Sequence, residues 1–434
     1  MVQQKSSQEP DYQTLALQLG KMFKPSSPIK KDDLFQGRTT QIREVVDAIN
    51  QPGKHVVLYG EAGVGKTSLG QVLKTRLKAI EDTPIIAPLI NCDSSDDFSS
   101  LWREMFVQIN EEYADIVSTG DGESPNEPDD ASDNEFSDLD VLDSDNPVTP
   151  RDVRKRLEPL SRNGIVYVIL DEFDKVSNPD VRRMMADTIK LFSDREVLVT
   201  IILIGVAENV TGLIDDHRSI ERCLAQVHLP RMPFKELITI VQKGLSEVSM
   251  TIKEDALEEI AGLSRGLPHY THLLALNAGR NALDEQKLAV SKHNVSAALK
   301  AAIGQTDESI RHKYDEATYS TKKNTLHKQV LLACALADCD EFGYFQPNDV
   351  VEPLSLIEKR EFTTDRFMSH LKRFCDIKVL SRMGGEYRWR YHFDNPLLQP
   401  YVIMKGIEEG LVKREQLNFS DQKYPLFVKR RSTV

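Results

Sequence analysis

Apolar positions along this chain fall into two textures. Up to residue 232, short runs that are apolar throughout alternate with segments whose apolar residues recur at helical spacing; beyond Pro233 the spacing is helical and stays so. The all-apolar runs predict strands at His55–Tyr59, Pro84–Ile90, Ile165–Leu170, Val197–Gly205 and Gln226–Leu229. Between them, Ile42, Val45, Val46 and Ile49 mark one helix, and Leu69, Val72, Leu73, Leu77 and Ile80 another. Strands buried on both faces and alternating with helices predict an α/β fold with a parallel sheet.

The later pattern predicts two helical regions. Residues 233–320 read as a small helical domain and connector, with helices marked by Phe234, Leu237, Ile238, Val241, Leu245 and Val248, then by Ala256–Leu263 and His269–Leu283. Residues 321–412 carry a helix through Val330–Ala337, one near Pro347–Leu356 and one at Thr364–Phe374. Two strands then turn around Gly384-Gly385, a dipeptide suited to a tight hairpin. Three helices and a hairpin predict a winged helix. The polar flanks, 1–32 and 413–434, read as tails, the first with an apolar patch from Leu15 to Phe23.

Charge changes this picture in one place. The net charge is −12 over 434 residues, but residues 111–146 hold 14 Asp and Glu with no Lys or Arg, so the remainder carries 53 acids against 55 bases. A segment so acidic and so poor in aromatics buries too little apolar surface to offset its ordering entropy. Residues 111–148 are therefore expected to be a disordered insertion in the core at 33–232, with an acidic strip for a protein partner as a compatible second role. The longest apolar run, Val197–Ala207, is too short to cross a bilayer, and the polar start lacks a signal-peptide core. A soluble, cytoplasmic protein with no membrane partner is expected. Five cysteines form no C-x-x-C pair and read as reduced thiols.

The candidate chemistry begins at Gly60-Glu61-Ala62-Gly63-Val64-Gly65-Lys66-Thr67-Ser68, set between a predicted strand and helix. Glycines there let successive N–H groups converge on phosphates, Lys66 reaches the β- and γ-phosphates, and Thr67 is placed to ligate Mg²⁺. A second strand ends in Asp171-Glu172, which puts Asp171 near the metal and lets Glu172 polarise a water. ATP and Mg²⁺ are the expected ligands.

With these pieces in order, the chain resembles the AAA+ P-loop ATPases, the origin-recognition initiator clade in particular, and also the related STAND signalling ATPases. Phe35-Gln-Gly-Arg38 resembles the box that flanks adenine, and Ile169-Leu-Asp-Glu-Phe-Asp174 the initiators' D-E-x-D Walker B. The resemblance implies a polar sensor at Asn209 or Glu208, Asn209 preferred for its amide, with a helix cap as the ordinary reading. It implies an arginine finger at Arg222, Arg218 being second choice, with a local salt bridge as the ordinary reading. A finger acting on a neighbour's nucleotide implies a homo-oligomer. Where the initiators keep a sensor 2 arginine, this chain has Gly266-Leu-Pro268-His269. That form is closer to STAND proteins, with Pro268 at the nucleotide base and His269 either at a phosphate or capping a helix.

In the last region, nine Lys and Arg face four acids between Lys359 and Tyr391. Arg366, His370 and Arg373 share one face of a predicted helix. Arg388, Arg390 and His392 alternate with Tyr387, Trp389, Tyr391 and Phe393 in the hairpin. Duplex DNA is the expected partner, with a protein or intramolecular contact as the alternative. The functional expectation is an ATP-hydrolysing switch that couples nucleotide state to DNA. The alternative is a STAND-like signalling or defence ATPase governing a protein effector.

Overall fold

The computed structural model describes residues 11–29, 35, 37–80, 85–119, 146–207, 213–214, 220–321, 325–385 and 388–419. The chain divides into two compact units, one of residues 29–61 and 66–229, the other of residues 1–28, 62–65 and 230–434.

The first unit is built on a parallel sheet of β1 (His55–Gly60), β2 (Ile85–Ile86), β3 (Leu89–Asn91), β4 (Ile165–Asp171), β5 (Val199–Val206) and β6 (Leu224–His228). Their order is β2-β4-β5-β1-β6, with β3 also on β4. The expected second strand is thus two short ones. Pro88 separates them, lacking an N–H for the ladder, while its carbonyl still accepts from the Ile169 N–H. Val168, Leu170, Ile201 and Leu203 on the central strands pack with Trp102, Phe106 and Phe192 from flanking helices into the core.

The acidic insertion is corrected at both ends. Helix Phe98–Thr119 runs on through Glu111, since its apolar face continues past the first acids, and the buried Ile109 holds it to the core. At the far end Val148 is buried, and Thr149 caps the helix Pro150–Asn163 reciprocally with Asp152. Residues 120–145 lie outside the described residues.

The second unit holds both the helical region at 233–320 and the C-terminal region. Helices Phe234–Ser246, Glu254–Leu263, Pro268–Asp284, Lys292–Gln305 and Glu308–Thr318 form the first of these, with short parallel strands β7 (Thr251–Ile252) and β8 (Ala289–Val290). Helices His327–Leu336, Pro347–Glu358 and Met368–Asp376 follow, then the antiparallel β9 (Leu380–Met383) and β10 (Arg390–Phe393), and a helix Leu398–Glu408 that the sequence pattern did not single out. The expected helix at Thr364 is a 3₁₀ turn, Thr364–Arg366, before Met368.

Side-chain hydrogen bonds join the two regions within this unit. Arg265, fully buried, donates to the Ala337 carbonyl at 2.8 Å. Arg231 donates to the Gln399 side chain at 2.5 Å, which in turn donates to the Ala335 carbonyl at 2.9 Å. The carbonyls of Ala335 and Ala337, at the end of helix His327–Leu336, are thereby satisfied by Gln399 and Arg265, and Arg231 holds Gln399 in place.

Both expected tails are corrected as well. Residues Tyr12–Met22 form a helix capped by Asp11, with Leu19 and Phe23 buried. The Phe23 ring lies where a side chain at Gly244 would stand, and Leu19 does the same at Gly279. At the other end, Leu417 and Phe419 are buried, Phe419 against Gly262, and Arg414 pairs with the buried Glu259. Residues 420–434 lie outside the described residues. No helix among the described residues is long and apolar enough to cross a membrane.

Candidate functional site

β1 ends at Gly60, where a Cβ would strike the Leu229 carbonyl, so the loop can start here only from glycine. Gly63 and Gly65 have φ of 80° and 98°, a conformation that L side chains rarely adopt. Helix Lys66–Ile80 follows directly. Ala62 and Gly65 are half-buried, Val64 is buried, and the Ser68 hydroxyl accepts from the Ile29 N–H at 3.1 Å.

Lys66 is 8% exposed, and its ammonium donates to the carbonyls of Gly60 at 3.0 Å and Glu61 at 2.8 Å. Burial pulls its pKa down to about 8, against the attraction of Asp174, Asp171, Glu61 and Glu172. A lysine so placed carries charge that only four nearby acids and two carbonyls sustain.

Asp171 closes β4 and is 1% exposed. One carboxylate oxygen accepts from the Glu172 N–H at 2.8 Å, and the other, Oδ2, has no hydrogen-bond partner. Burial pushes this carboxyl up, while the Thr67 hydroxyl and the Glu172 amide hold it down. An orphaned buried carboxylate oxygen beside a hydroxyl is a pair of hard donors, and it fits Mg²⁺, which binds through one or two carboxylates and keeps other positions for water and phosphate.

Glu172 sits at φ 57°, and its carboxylate pairs with Lys175 at 2.7 Å. The strand end therefore presents Asp171 inward and turns Glu172 to an exposed cation. Asp174, the last acid of the motif, received no role from the sequence. Its Oδ1 accepts from the Val206 N–H at the end of β5, at 2.7 Å. The signal was in the motif itself, but the partner is 32 residues away and only the sheet brings it near.

The other predicted residues divide. Arg38 is buried with φ 62° at the start of helix Thr39–Ile49, and Phe35 is buried. Arg222 is 73% exposed and pairs with Asp194 at 2.8 Å, while Lys54 donates to its carbonyl at 2.7 Å. Asn209, Glu208 and Arg218 lie outside the described residues.

In the second unit, Pro268 opens helix Pro268–Asp284, and His269 Nδ1 lies 2.8 Å from the Pro25 carbonyl. His269 is thus held by the N-terminal segment, which the sequence had left as a tail. Burial keeps its pKa low.

Three residues of the predicted basic face have partners within the chain. Arg373 donates to the carbonyls of Ala317 at 2.6 Å and Glu316 at 3.0 Å, capping helix Glu308–Thr318. Arg390 pairs with Asp340 at 3.2 Å and lies over the Tyr344 ring. His370 is half-buried in edge contact with His327. Arg366 and Arg388 are exposed, and Arg382 stacks on Trp389 at 4.5 Å. Tyr387 lies outside the described residues.

Comparison with known families matches residues 49–213 to an AAA domain. Comparison with curated proteins finds no significant match. Among solved structures, a Walker-type ATPase of Pyrococcus abyssi is similar in fold at a TM-score of 0.54 and 16% identity, over 88% of this chain and 99% of that one. The Cdc6p of Pyrobaculum aerophilum has a TM-score of 0.43 and 15% identity, over 91% and 99%. The ORC1 protein of Aeropyrum pernix, solved in complex with DNA, has a TM-score of 0.43 and 17% identity, over 88% and 95%. A glycine loop that fits only glycine, a buried lysine and a buried strand-end aspartate all fall inside the matched segment. Residues 49–213 thus match an AAA domain, and the fold is similar to that of a Walker-type ATPase.

Proposed function

We propose that the protein is an ATP-hydrolysing AAA+-type switch whose nucleotide state governs engagement of duplex DNA, and that it acts as a homo-oligomer. The observation that carries the reading is the buried Asp171, with one oxygen unpartnered, beside the Thr67 hydroxyl and close enough to Lys66 to attract its ammonium.

Lys66 would exchange the Gly60 and Glu61 carbonyls for β- and γ-phosphate oxygens. Thr67 and Asp171 would hold Mg²⁺, which when bound supplies charge stabilisation to the transferring phosphoryl group. Glu172 must leave Lys175 to orient a water toward the γ-phosphate. Because that pair is solvent-exposed, its rupture costs little. Arg222, on an exposed surface and held only by an exposed Asp194, is free in energetic terms to reach a neighbouring subunit.

Exposed Arg366 and Arg388, with Arg382 stacked on Trp389, support contact with DNA phosphates by a winged helix built from the three C-terminal helices and hairpin. A second reading has an observation of its own. With Arg373 capping a helix and His370 half-buried against His327, fewer cations remain for phosphates, which favours a STAND-like regulator whose winged helix contacts protein.

Two measurements test this. Glu172→Gln is expected to bind ATP normally and to lower steady-state phosphate release by about 100-fold or more; unchanged release removes Glu172 from the catalytic role. Labelled duplex DNA is titrated with ATP at several salt concentrations, where phosphate contacts must show a salt slope. Undetectable affinity at low salt removes the DNA claim and leaves the protein-contact reading.

A further inference from the structure

β4 ends at Asp171, before its neighbour β5 does. The pairing of β4 with β5 runs to Leu170 opposite Leu203, whereas β5 continues to Val206, whose other neighbour in register is Gly60 of β1. The last amide of β5 thus has a strand on one side only. Asp174, on the 3₁₀ turn Phe173–Lys175 that follows β4, fills the missing side with its carboxylate, accepting from the Val206 N–H at 2.7 Å.

The surroundings fit this contact closely. A Cβ at Gly205 would come within 2.8 Å of the Asp174 oxygen and would strike Leu213, so glycine is what allows the turn to approach β5. The turn itself is braced: Arg182 donates to the Val176 carbonyl at 3.1 and 2.9 Å. Phe173 is fully buried beneath it. The same aspartate leads the charges that attract Lys66.

We propose that Asp174 is a positioning residue for phosphoryl transfer, holding the tip of β5 in register with Gly60, the residue that closes β1 and opens the glycine loop. This rests on the reading of the loop as an ATP-hydrolysing site. The residue acts through Val206 and Gly60 and touches no substrate. Misplacing a tip by about 1 Å costs up to about 100-fold in rate.

The test compares the full-length wild type with D174A and D174N, each first shown to melt cooperatively. Asn keeps an oxygen that accepts from the Val206 N–H but drops the charge; Ala drops both. In D174A the Val206 amide is expected to exchange hydrogen at least about 10-fold faster, and kcat is expected to fall about 10- to 100-fold with the Kd for ATP nearly unchanged. D174N is expected to keep wild-type exchange and most of kcat. Where D174A does not fold, D174S, whose hydroxyl is too short to reach Val206, replaces it. Unchanged exchange at Val206 overturns the proposal, as does faster exchange with unchanged kcat, or a D174N that falls as far as D174A. A wild-type chain with no turnover overturns the hydrolysis reading and this proposal with it, whereas turnover preserved in D174A overturns this proposal alone.

Discussion

The Lys66 ammonium donates to the main-chain carbonyl of Gly60 at 3.0 Å, so the cation that closes the glycine loop is held by the residue that opens it. Burial has brought its pKa down to about 8, against an ordinary value of 10.5. Between those two values the unfolded chain binds more protons than the folded one, so this lysine's contribution to stability rises with pH across that window. A bound triphosphate favours the ammonium and reverses the shift. ATP binding near about pH 8.5 is therefore expected to take up a substantial fraction of a proton, read as a buffer-dependent enthalpy in calorimetry. Lys66→Met should bind more weakly and lose the buffer dependence.

Phe23 belongs to the folding of the second unit. Its ring is 1% exposed, meets His272 edge-on at 5.8 Å and occupies the space that Gly244 leaves. Phe23→Ala should cost about 3 kcal/mol or more, seen as a lower urea midpoint. A midpoint unchanged by the substitution would return residues 11–23 to the status of a loose arm.

Arg373 and Arg388 are expected to part ways. Arg388 is exposed, so Arg388→Ala should weaken duplex binding and lower the salt slope by about 1. Arg373 spends its guanidinium on the last carbonyls of helix Glu308–Thr318. Arg373→Ala should leave the salt slope alone and reduce stability by about 1 to 2 kcal/mol, measured by denaturant titration.

For Arg222 the discriminating measurement is complementation. Mixing Arg222→Ala subunits with Lys66→Ala subunits should restore part of the ATPase activity if the arginine serves a neighbour's nucleotide. Its pairing with Asp194 at 2.8 Å is exposed on both sides and contributes about 1 kcal/mol at most. The absence of any rescue would assign Arg222 to that pair alone.

Local chemistry made much of this legible in the sequence. The all-apolar runs located the core strands, because a strand buried on both faces has no polar positions to spare. The glycine loop was readable because a tight turn between a strand and a helix, with φ of 80° and 98° at Gly63 and Gly65, calls for glycine. The tails were misread for a related reason. Leu19, Phe23, Leu417 and Phe419 are too few in each segment to form a periodic pattern, and their burial depends on small residues elsewhere, Gly244, Gly279 and Gly262 among them.

Side-chain partners distant in sequence were decided by the tertiary structure. An arginine reads as a cation wherever it stands, yet Arg373 caps a helix, Arg265 seals another inside the second unit, and Arg388 meets solvent. Asp174 reads as one more acid until β5 brings Val206 to it. The sequence by itself determined most of the elements and the place of the glycine loop between a strand and a helix, since these follow from neighbours along the chain. Which charges stay available for function was settled only when folding brought remote carbonyls and amides within hydrogen-bonding distance, because a buried polar group must be satisfied by whatever the fold places beside it.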